Sequence, residues 1–304
     1  MTALSKNALR ESFGERLQED VILAPYTSAR IGGPADYLID ARSADDLADM
    51  VSKLWEADHP FIILGGGSNV LVSDHGVRGV VVLNRAKEVR FNVGDHPSAW
   101  CESGAVLSNV AHRAAALGFG GLEWAATVPG TVGGAVYGNA GAFGGDIAHD
   151  LIRADILDET GRDWWPVERM GYGYRTSVLK KEYKRAVILG AEFRLSNSTR
   201  DKAQIKIEEF SAKRKASQPP GASMGSMFKN PAGDYAGRLI EASGLKGTRI
   251  GSAEISTVHG NFFVNTGEGK AADVKALIDL ARKTVEENFG IELELEIELV
   301  GEWQ

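Results

Sequence analysis

One cysteine, Cys101, is all that 304 residues contain. No internal disulfide is possible, which excludes a disulfide scaffold and points to a reducing compartment. Long apolar runs are missing too. The least polar stretch, 105–145, is interrupted by His112, Arg113 and Glu123, so no segment reaches the roughly 18 residues a membrane span needs. The start, MTALSKNALRESFGERLQEDV, lacks the apolar core of a signal peptide. Positive charge is in deficit as well, with 34 Lys+Arg against 41 Asp+Glu and a formal charge of −7. Without a sustained Lys/Arg stripe, nucleic acid is not the expected partner. The expectation is a cytoplasmic soluble protein with neither a membrane nor a nucleic-acid partner.

Two phosphate-binding motifs are also absent. Counting from Gly65 and Gly67, the third glycine of a dinucleotide fingerprint falls on Val70, and Gly269-Lys270 is followed by Ala271 rather than Ser or Thr. No histidine pair has metal-ligand spacing, so no metal is expected.

What the chain has in excess is glycine. Its 36 glycines are about 12% of the residues, against a typical 7% or so. Ten of them fall between Gly118 and Gly145. Apolar (43%) and charged (25%) contents are those of an ordinary globule, and the length suggests about two domains.

Helical and strand patterns alternate, which gives an α/β or α+β class. Residues 5–20 read as a short polar helix with no need of a core. ADYLIDA (35–41) reads as a strand, followed by a capping box at Ser43-Ala-Asp-Asp46. Leu47, Met50, Val51, Leu54 and Trp55 then recur at helical spacing. FIIL (61–64) and GVVVL (79–83) are buried-type strands. Strands are expected at 87–92, 98–103, 152–158, 163–167 and 186–195, with a helix at 106–117. A polar helix over 200–216 stops at Gln218-Pro219-Pro220. Helices near 234–243 and 270–288, a strand at 261–265 and a last strand over 291–300 complete the pattern.

Four glycine-bearing loops stand out: Ile31–Pro34, Gly65-Gly66-Gly67-Ser68-Asn69, Val128–Gly134, and Asn139-Ala140-Gly141. Glycine lets a ligand approach the main chain, and successive N–H groups in such loops form nests for phosphate oxygens. Peptide dipoles thus let an acidic protein hold a pyrophosphate without many lysines. Composition alone reaches a nucleotide-type ligand and stops.

The order and spelling of the loops go further. Leu64–Leu71 (LGGGSNVL), Pro129–Gly134 (PGTVGG) with Asn139–Ala142 (NAGA), Tyr172–Ser177 (YGYRTS) and Gly225–Pro231 (GSMFKNP) together resemble the UDP-N-acetylenolpyruvoylglucosamine reductase family. The resemblance runs from about Tyr26 to Trp303. The first two motifs suit other flavoproteins with the same FAD-binding module; the last two are specific to the reductases. The resemblance implies an α+β fold: a two-subdomain FAD-binding module of the vanillyl-alcohol-oxidase (PCMH) type, here 1–88 and 89–197, and a C-terminal α/β substrate domain over 198–304. It implies noncovalent FAD with its pyrophosphate on the backbone of Gly65, Gly66, Gly67, Ser68 and Asn69 and of Pro129, Gly130, Thr131, Gly133 and Gly134. Asn69, Thr131 and Asn139 are candidate polar contacts.

NADPH is the implied co-substrate, and UDP-N-acetylglucosamine enolpyruvate the implied substrate. Hydride passes from flavin N5 to the alkene CH2 carbon, leaving charge on the adjacent carbon and carboxylate. Arg175 matches the family's enolate-stabilising arginine, and its planar guanidinium suits a carboxylate fork. Ser226 matches the proton donor, with Lys229 and Asn230 as neighbours able to polarise it or to meet the substrate. Tyr174 and His259 fall near substrate-contacting positions. Two departures are visible. Ala125-Ala126-Thr127-Val128 replaces a glycine-containing run, and no tyrosine-bearing loop fits between Arg175 and the strand at 186. The chain thus resembles the shorter subtype, and a monomer is favoured.

The last strand sets a puzzle of charge. On an extended segment Glu292, Glu294, Glu296 and Glu298 share one face, with neighbouring carboxylates about 7 Å apart. At water's dielectric each repulsion is about 0.6 kcal/mol, tolerable in solvent and several-fold worse when buried. The residues themselves do not choose among the four; the resemblance, through a Glu-Val-x-x-x-Gly ending matched by Glu296–Gly301, singles out Glu296 as the active-site carboxylate.

Overall fold

The computed structural model describes residues 6–182 and 185–303. The first section holds α1 (Lys6–Phe13), β1 (Gln18–Ile22), β2 (Pro34–Ala41), α2 (Ala44–Glu56), β3 (Phe61–Leu64), β4 (Val70–Val72) and β5 (Val77–Asn84). Four of these strands form one sheet in the order β1-β2-β5-β3, with β2 and β3 parallel to β5 and β1 antiparallel to β2. Half of the expected capping box forms: Asp46 N–H donates to Ser43 Oγ at 3.1 Å, but the Asp46 carboxylate accepts from Arg42 N–H at 2.7 Å, one residue before the cap; Leu47, Met50, Val51 and Leu54 face inward.

The N-terminal helix differs from expectation. Its expected first residue lies outside the described residues, and it ends at Phe13, just before Gly14, which adopts a left-handed φ of 58°. Residues 18–22 are a strand, not helix. Nor is the helix free of the core. Leu9 and Phe13, one turn apart, are buried among Ile39, Leu47 and Val80. A single i, i+4 apolar pair is a weak periodic signal, yet it suffices to dock one turn.

His59 closes the end of α2, donating its backbone N–H to Leu54 O at 2.9 Å. Its ring is buried and neither ring nitrogen has a hydrogen-bond partner. Burial holds its pKa below the usual histidine value, against the pull of the Asp36 carboxylate.

The second section contains β6 (Val89–Asn92), β7 (Ser98–Glu102), α3 (Leu107–Ala116), β8 (Phe119–Gly120), α4 (Val132–Gly138), β9 (Gly141–Ala142), β10 (Gly145–Asp146), α5 (Ile147–Asp150), β11 (Leu151–Asp158), β12 (Gly161–Pro166), α6 (Val178–Lys181), β13 (Ala186–Arg194) and β14 (Ser196–Asn197). Five strands make an antiparallel sheet in the order β12-β11-β13-β7-β6, while β8 pairs with β14 and β9 with β10. As its composition demands, the glycine-dense stretch carries only α4, a 3-10 turn and two-residue strands.

The third section holds α7 (Arg200–Ser217), β15 (Ala222–Ser226), α8 (Ala236–Ala242), β16 (Arg249–Ile250), β17 (Ala253–Ile255), β18 (Phe262–Asn265), α9 (Ala271–Phe289) and β19 (Glu298–Val300). Its sheet runs β15-β18-β17-β16, all antiparallel, and α9 buries Val274, Leu277, Ile278, Ala281 and Val285. The expected ten-residue last strand is not formed. Only Glu298–Val300 is strand, parallel to β4 (298↔70 to 300↔72). Residues before it pair irregularly with the segment after β15: Lys229 N–H donates to Glu294 O at 2.8 Å, and Glu296 N–H to Met227 O at 2.9 Å. Alternation fixes which side each residue faces, but a ladder needs a continuous partner edge, and here the chain crosses from one edge to another.

Asp74 adds a second tie between the first and third sections. Its carboxylate accepts from Ala271 N–H (2.8 Å) and Ala272 N–H (2.9 Å), capping α9 from nearly 200 residues away.

Two stability outcomes follow. Leu9→Ala should cost about 2–5 kcal/mol, read as a lowered urea-unfolding midpoint; an unchanged midpoint contradicts the docking of α1. For His59 the folded state resists protonation, so its contribution is present above the unfolded pKa near 6.5 and is lost as pH falls below it. His59→Leu should therefore lose less stability than the native chain between about pH 7.5 and about pH 5.5.

Candidate active site

A cavity of about 1100 Å³ lies where the three sections meet. On one side β3 runs into the loop 65–69. Opposite it, the loop 128–134 leads into α4. The loops approach closely: a methyl group added to Gly66 lies 3.0 Å from Gly130 Cα, and one added to Gly65 runs into the Thr131 side chain. Among the described residues, the N–H groups of Gly66, Gly67 and Ser68 have no partner within the chain.

The other wall carries the charged groups. Arg175 sits in a tight turn closed by Gly173 and Thr176, with a left-handed φ of 56° that a non-glycine residue rarely adopts. Its Nη2 donates to Gly141 O at 2.9 Å. Nε lies 2.8 Å from Glu296 Oε1, within ion-pair range, although its N–H does not point along the line of a hydrogen bond. Ser226, the last residue of β15, follows Gly225 (φ 79°) and lines the same cavity.

Each carboxylate of the 294–298 segment meets a cation from elsewhere. Glu294 pairs with Lys229, Glu296 with Arg175, and Glu298 with Lys180 Nζ at 2.6 Å. The row predicted to repel itself is neutralised in three places. Glu296 is the most enclosed of the three. Burial raises its pKa above the usual carboxylate value, opposed by the charges of Arg175, Lys180 and Lys229.

Several expected site residues do not reach the cavity wall. Asn139, at the left-handed end of α4 (φ 48°), spends its amide inside the protein: Nδ2 donates to Gly173 O at 3.0 Å and Oδ1 accepts from Ala148 N–H at 2.9 Å. It supports the Arg175 turn rather than facing a ligand. His259 packs edge-on against Phe262 and accepts at Nδ1 from Asn261 N–H at 3.1 Å. Tyr174 is exposed at the rim, where its hydroxyl accepts from Asn230 N–H at 3.4 Å; Asn230 Oδ1 in turn accepts from Ala236 N–H. Lys229 is held by Glu294. The glycines and Ser68, Asn69, Pro129 and Thr131 all line the cavity.

The C-terminal domain model of UDP-N-acetylenolpyruvoylglucosamine reductase matches residues 216–300, and an FAD binding domain matches residues 35–164. A UDP-N-acetylenolpyruvoylglucosamine reductase of Chloroflexus aggregans is 43% identical over 299 residues, covering 96% of this chain and all of that one. The chain belongs to the UDP-N-acetylenolpyruvoylglucosamine reductase family. A second member, from Bacillus pumilus, is 40% identical over 98% of both chains. The crystal structure of the Thermus caldophilus reductase superposes with a TM-score of 0.80 at 34% identity, covering 94% of this chain and 99% of that one. The expected α+β class, an FAD-binding module followed by a C-terminal domain, is borne out, and the protein is an FAD-containing oxidoreductase.

The residues present fit FAD. Two glycine loops in backbone contact, with unpartnered N–H groups beside a long cavity, make a cradle for a pyrophosphate that any Cβ at Gly65 or Gly66 would crowd.

Three cavity residues of this reductase were missed from sequence. Lys180 follows the arginine motif within a four-residue helix, α6. Arg214, near the end of α7, is half-buried on the wall, has no carboxylate partner among the described residues, and is held below its usual pKa by burial. Phe143, at φ 53°, stacks on Phe210 with centroids 4.7 Å apart. An unassigned cation three to five residues from the arginine motif was the available signal for Lys180. Arg214 and Phe143 gave none. Gly66→Ala should leave a folded protein that retains FAD at least tenfold less well, measured as flavin absorbance per protein after gel filtration; full retention contradicts the cradle.

Proposed function

We propose that the protein reduces UDP-N-acetylglucosamine enolpyruvate to UDP-N-acetylmuramate at the expense of NADPH, as a cytoplasmic, monomeric enzyme of peptidoglycan precursor synthesis holding FAD noncovalently. The observation that carries this reading is the convergence of Arg175, Ser226 and Glu296, from three separate segments, on the cavity that also holds the glycine loops. When bound, FAD accepts a hydride from NADPH and supplies one to the CH2 carbon of the enolpyruvyl group.

The remaining work falls to side chains. As the carbon–hydrogen bond forms, the alkene's electron pair moves toward the adjacent carbon and its carboxylate. The guanidinium of Arg175 is fixed by Gly141 O and Glu296, so its charge needs no reorganisation as the substrate's negative charge develops. A proton must then reach the carbanionic carbon. The hydroxyl of Ser226 is the proposed donor. A free hydroxyl is a very weak acid, so the neighbouring cationic wall must favour its ionised form. Glu296, whose burial moves its pKa toward neutrality, is suited to assist that transfer and to orient Arg175.

Around this centre, Asn69 donates from Nδ2 to Glu296 O at 3.0 Å, tying the pyrophosphate loop to the carboxylate segment. Lys229, Asn230 and Tyr174, whose chain positions flank Ser226 and Arg175, are proposed to meet the phosphates or carboxylate of the sugar nucleotide.

Ser226→Ala should keep flavin bleaching by NADPH yet slow reoxidation by the enolpyruvyl substrate about 10²–10⁴-fold. Normal reoxidation in that variant removes Ser226 from the proton-transfer role. Arg175→Met should slow the same half-reaction about 10²–10³-fold without releasing FAD.

A further inference from the structure

We propose that Lys180 is a positioning residue for the reaction, whose charge, shared between Glu298 and Glu296, fixes the protonation state of Glu296. The inference rests on the reading of Glu296 as the carboxylate that assists proton transfer.

Lys180 is a poor candidate for an ordinary surface lysine. Its side chain is only 16% exposed, whereas lysines are almost never buried unless paired. It lines the same cavity as Glu296, and its ammonium lies 2.6 Å from Glu298 Oε1. The helix that carries it is pinned through its N-cap and one buried side chain. Ser177 Oγ accepts from Lys180 N–H at 3.3 Å and donates to Tyr137 O at 2.7 Å, and Leu179 is buried. The ammonium is therefore delivered to a fixed place.

The geometry makes two linked rungs. One short stretch, 175–180, supplies Arg175 and Lys180; another, 296–298, supplies Glu296 and Glu298. Glu296 thus faces Arg175 from the turn, Lys180 from α6, Lys229 from the segment after β15, and the carboxylates of Glu294 and Glu298 on its own segment. Arg175 is committed to the developing enolate and Lys229 to Glu294. Lys180 lines the cavity beside Glu296 and has no other proposed task. Its charge opposes the effect of burial on Glu296.

The test reads Glu296 directly, not through turnover. In FAD-loaded protein with 13C-labelled glutamate, the Glu296 carboxyl is assigned by its loss in Glu296→Gln, and its NMR titration midpoint is followed. Lys180→Met should move the midpoint up, because a stabilising positive charge is gone. Glu298→Gln should move it down, because a negative neighbour is removed and Lys180 is left to act on Glu296 alone. Adding Lys180→Met to Glu298→Gln should then move it up again, and Lys180→Arg should leave it near the native value.

A general loosening of the site shifts the two single variants in the same direction, and a lysine that merely anchors Glu298 leaves the double variant where Glu298→Gln stands. Either outcome overturns the proposal. If Lys180→Met does not fold, an unchanged midpoint in Glu298→Gln overturns it just as well. Should Glu296→Gln turn over normally, the catalytic reading of Glu296 fails, while the titration still judges Lys180.

Discussion

A carboxylate enclosed beside a cavity is untenable unless its charge is answered, and Glu296, the most enclosed of a row of three, is answered by a cation, as are its two neighbours. Glu294, Glu296 and Glu298 share five residues of chain, and their cations, Lys229, Arg175 and Lys180, arrive from three different elements. None of the pairs is local in sequence. Lys229 and Glu294 pair within the third section, but the matching of Glu296 and Glu298 exists only when the second and third sections are docked against each other. A solvent-exposed pair is worth little, but enclosed pairs are screened less and removing one partner leaves an uncompensated charge. For Arg175–Glu296 and Lys180–Glu298, pairing and docking of the two sections go together.

The backbone carries the other half of the site. The glycine loops 65–69 and 128–134 approach so closely that a side chain at Gly66 would crowd the Gly130 backbone. Neutral peptide groups can therefore serve a pyrophosphate, while the scarce cations are kept for the opposite wall. This division explains how an acidic chain manages anionic ligands. Asn69 bridges the halves, since its loop faces the first wall and its amide holds the backbone of Glu296.

The parts legible in sequence were those set by local chemistry. The serine cap of α2, the buried-type strands β3 and β5, the strands β11 and β12 and the stop after α7 needed no tertiary information. The glycine loops were legible as a ligand cradle, and the spelled motifs located Arg175, Ser226 and Glu296 on the cavity wall. Misreadings arose where a distant partner decides. Strand β15, built of small residues (ASMGS), carried no strand pattern to read and pairs with β18. The 291–300 segment alternates perfectly and yet becomes strand only over the three residues that meet β4. Asn139 was expected at the cofactor because it sits in a glycine loop, whereas its left-handed backbone turns the amide toward Gly173 and Ala148. Arg214 carries no local mark, and Lys180 only its place after the arginine motif, since what distinguishes both is the cavity they face.

The central claim is that one cavity passes reducing equivalents from NADPH to an enolpyruvyl sugar nucleotide. The most direct measurement is the visible spectrum of the purified protein under anaerobic conditions. NADPH should bleach the flavin bands, and stoichiometric UDP-N-acetylglucosamine enolpyruvate should restore them without oxygen. A flavin that NADPH does not bleach, or that stays bleached until air is admitted, contradicts the account.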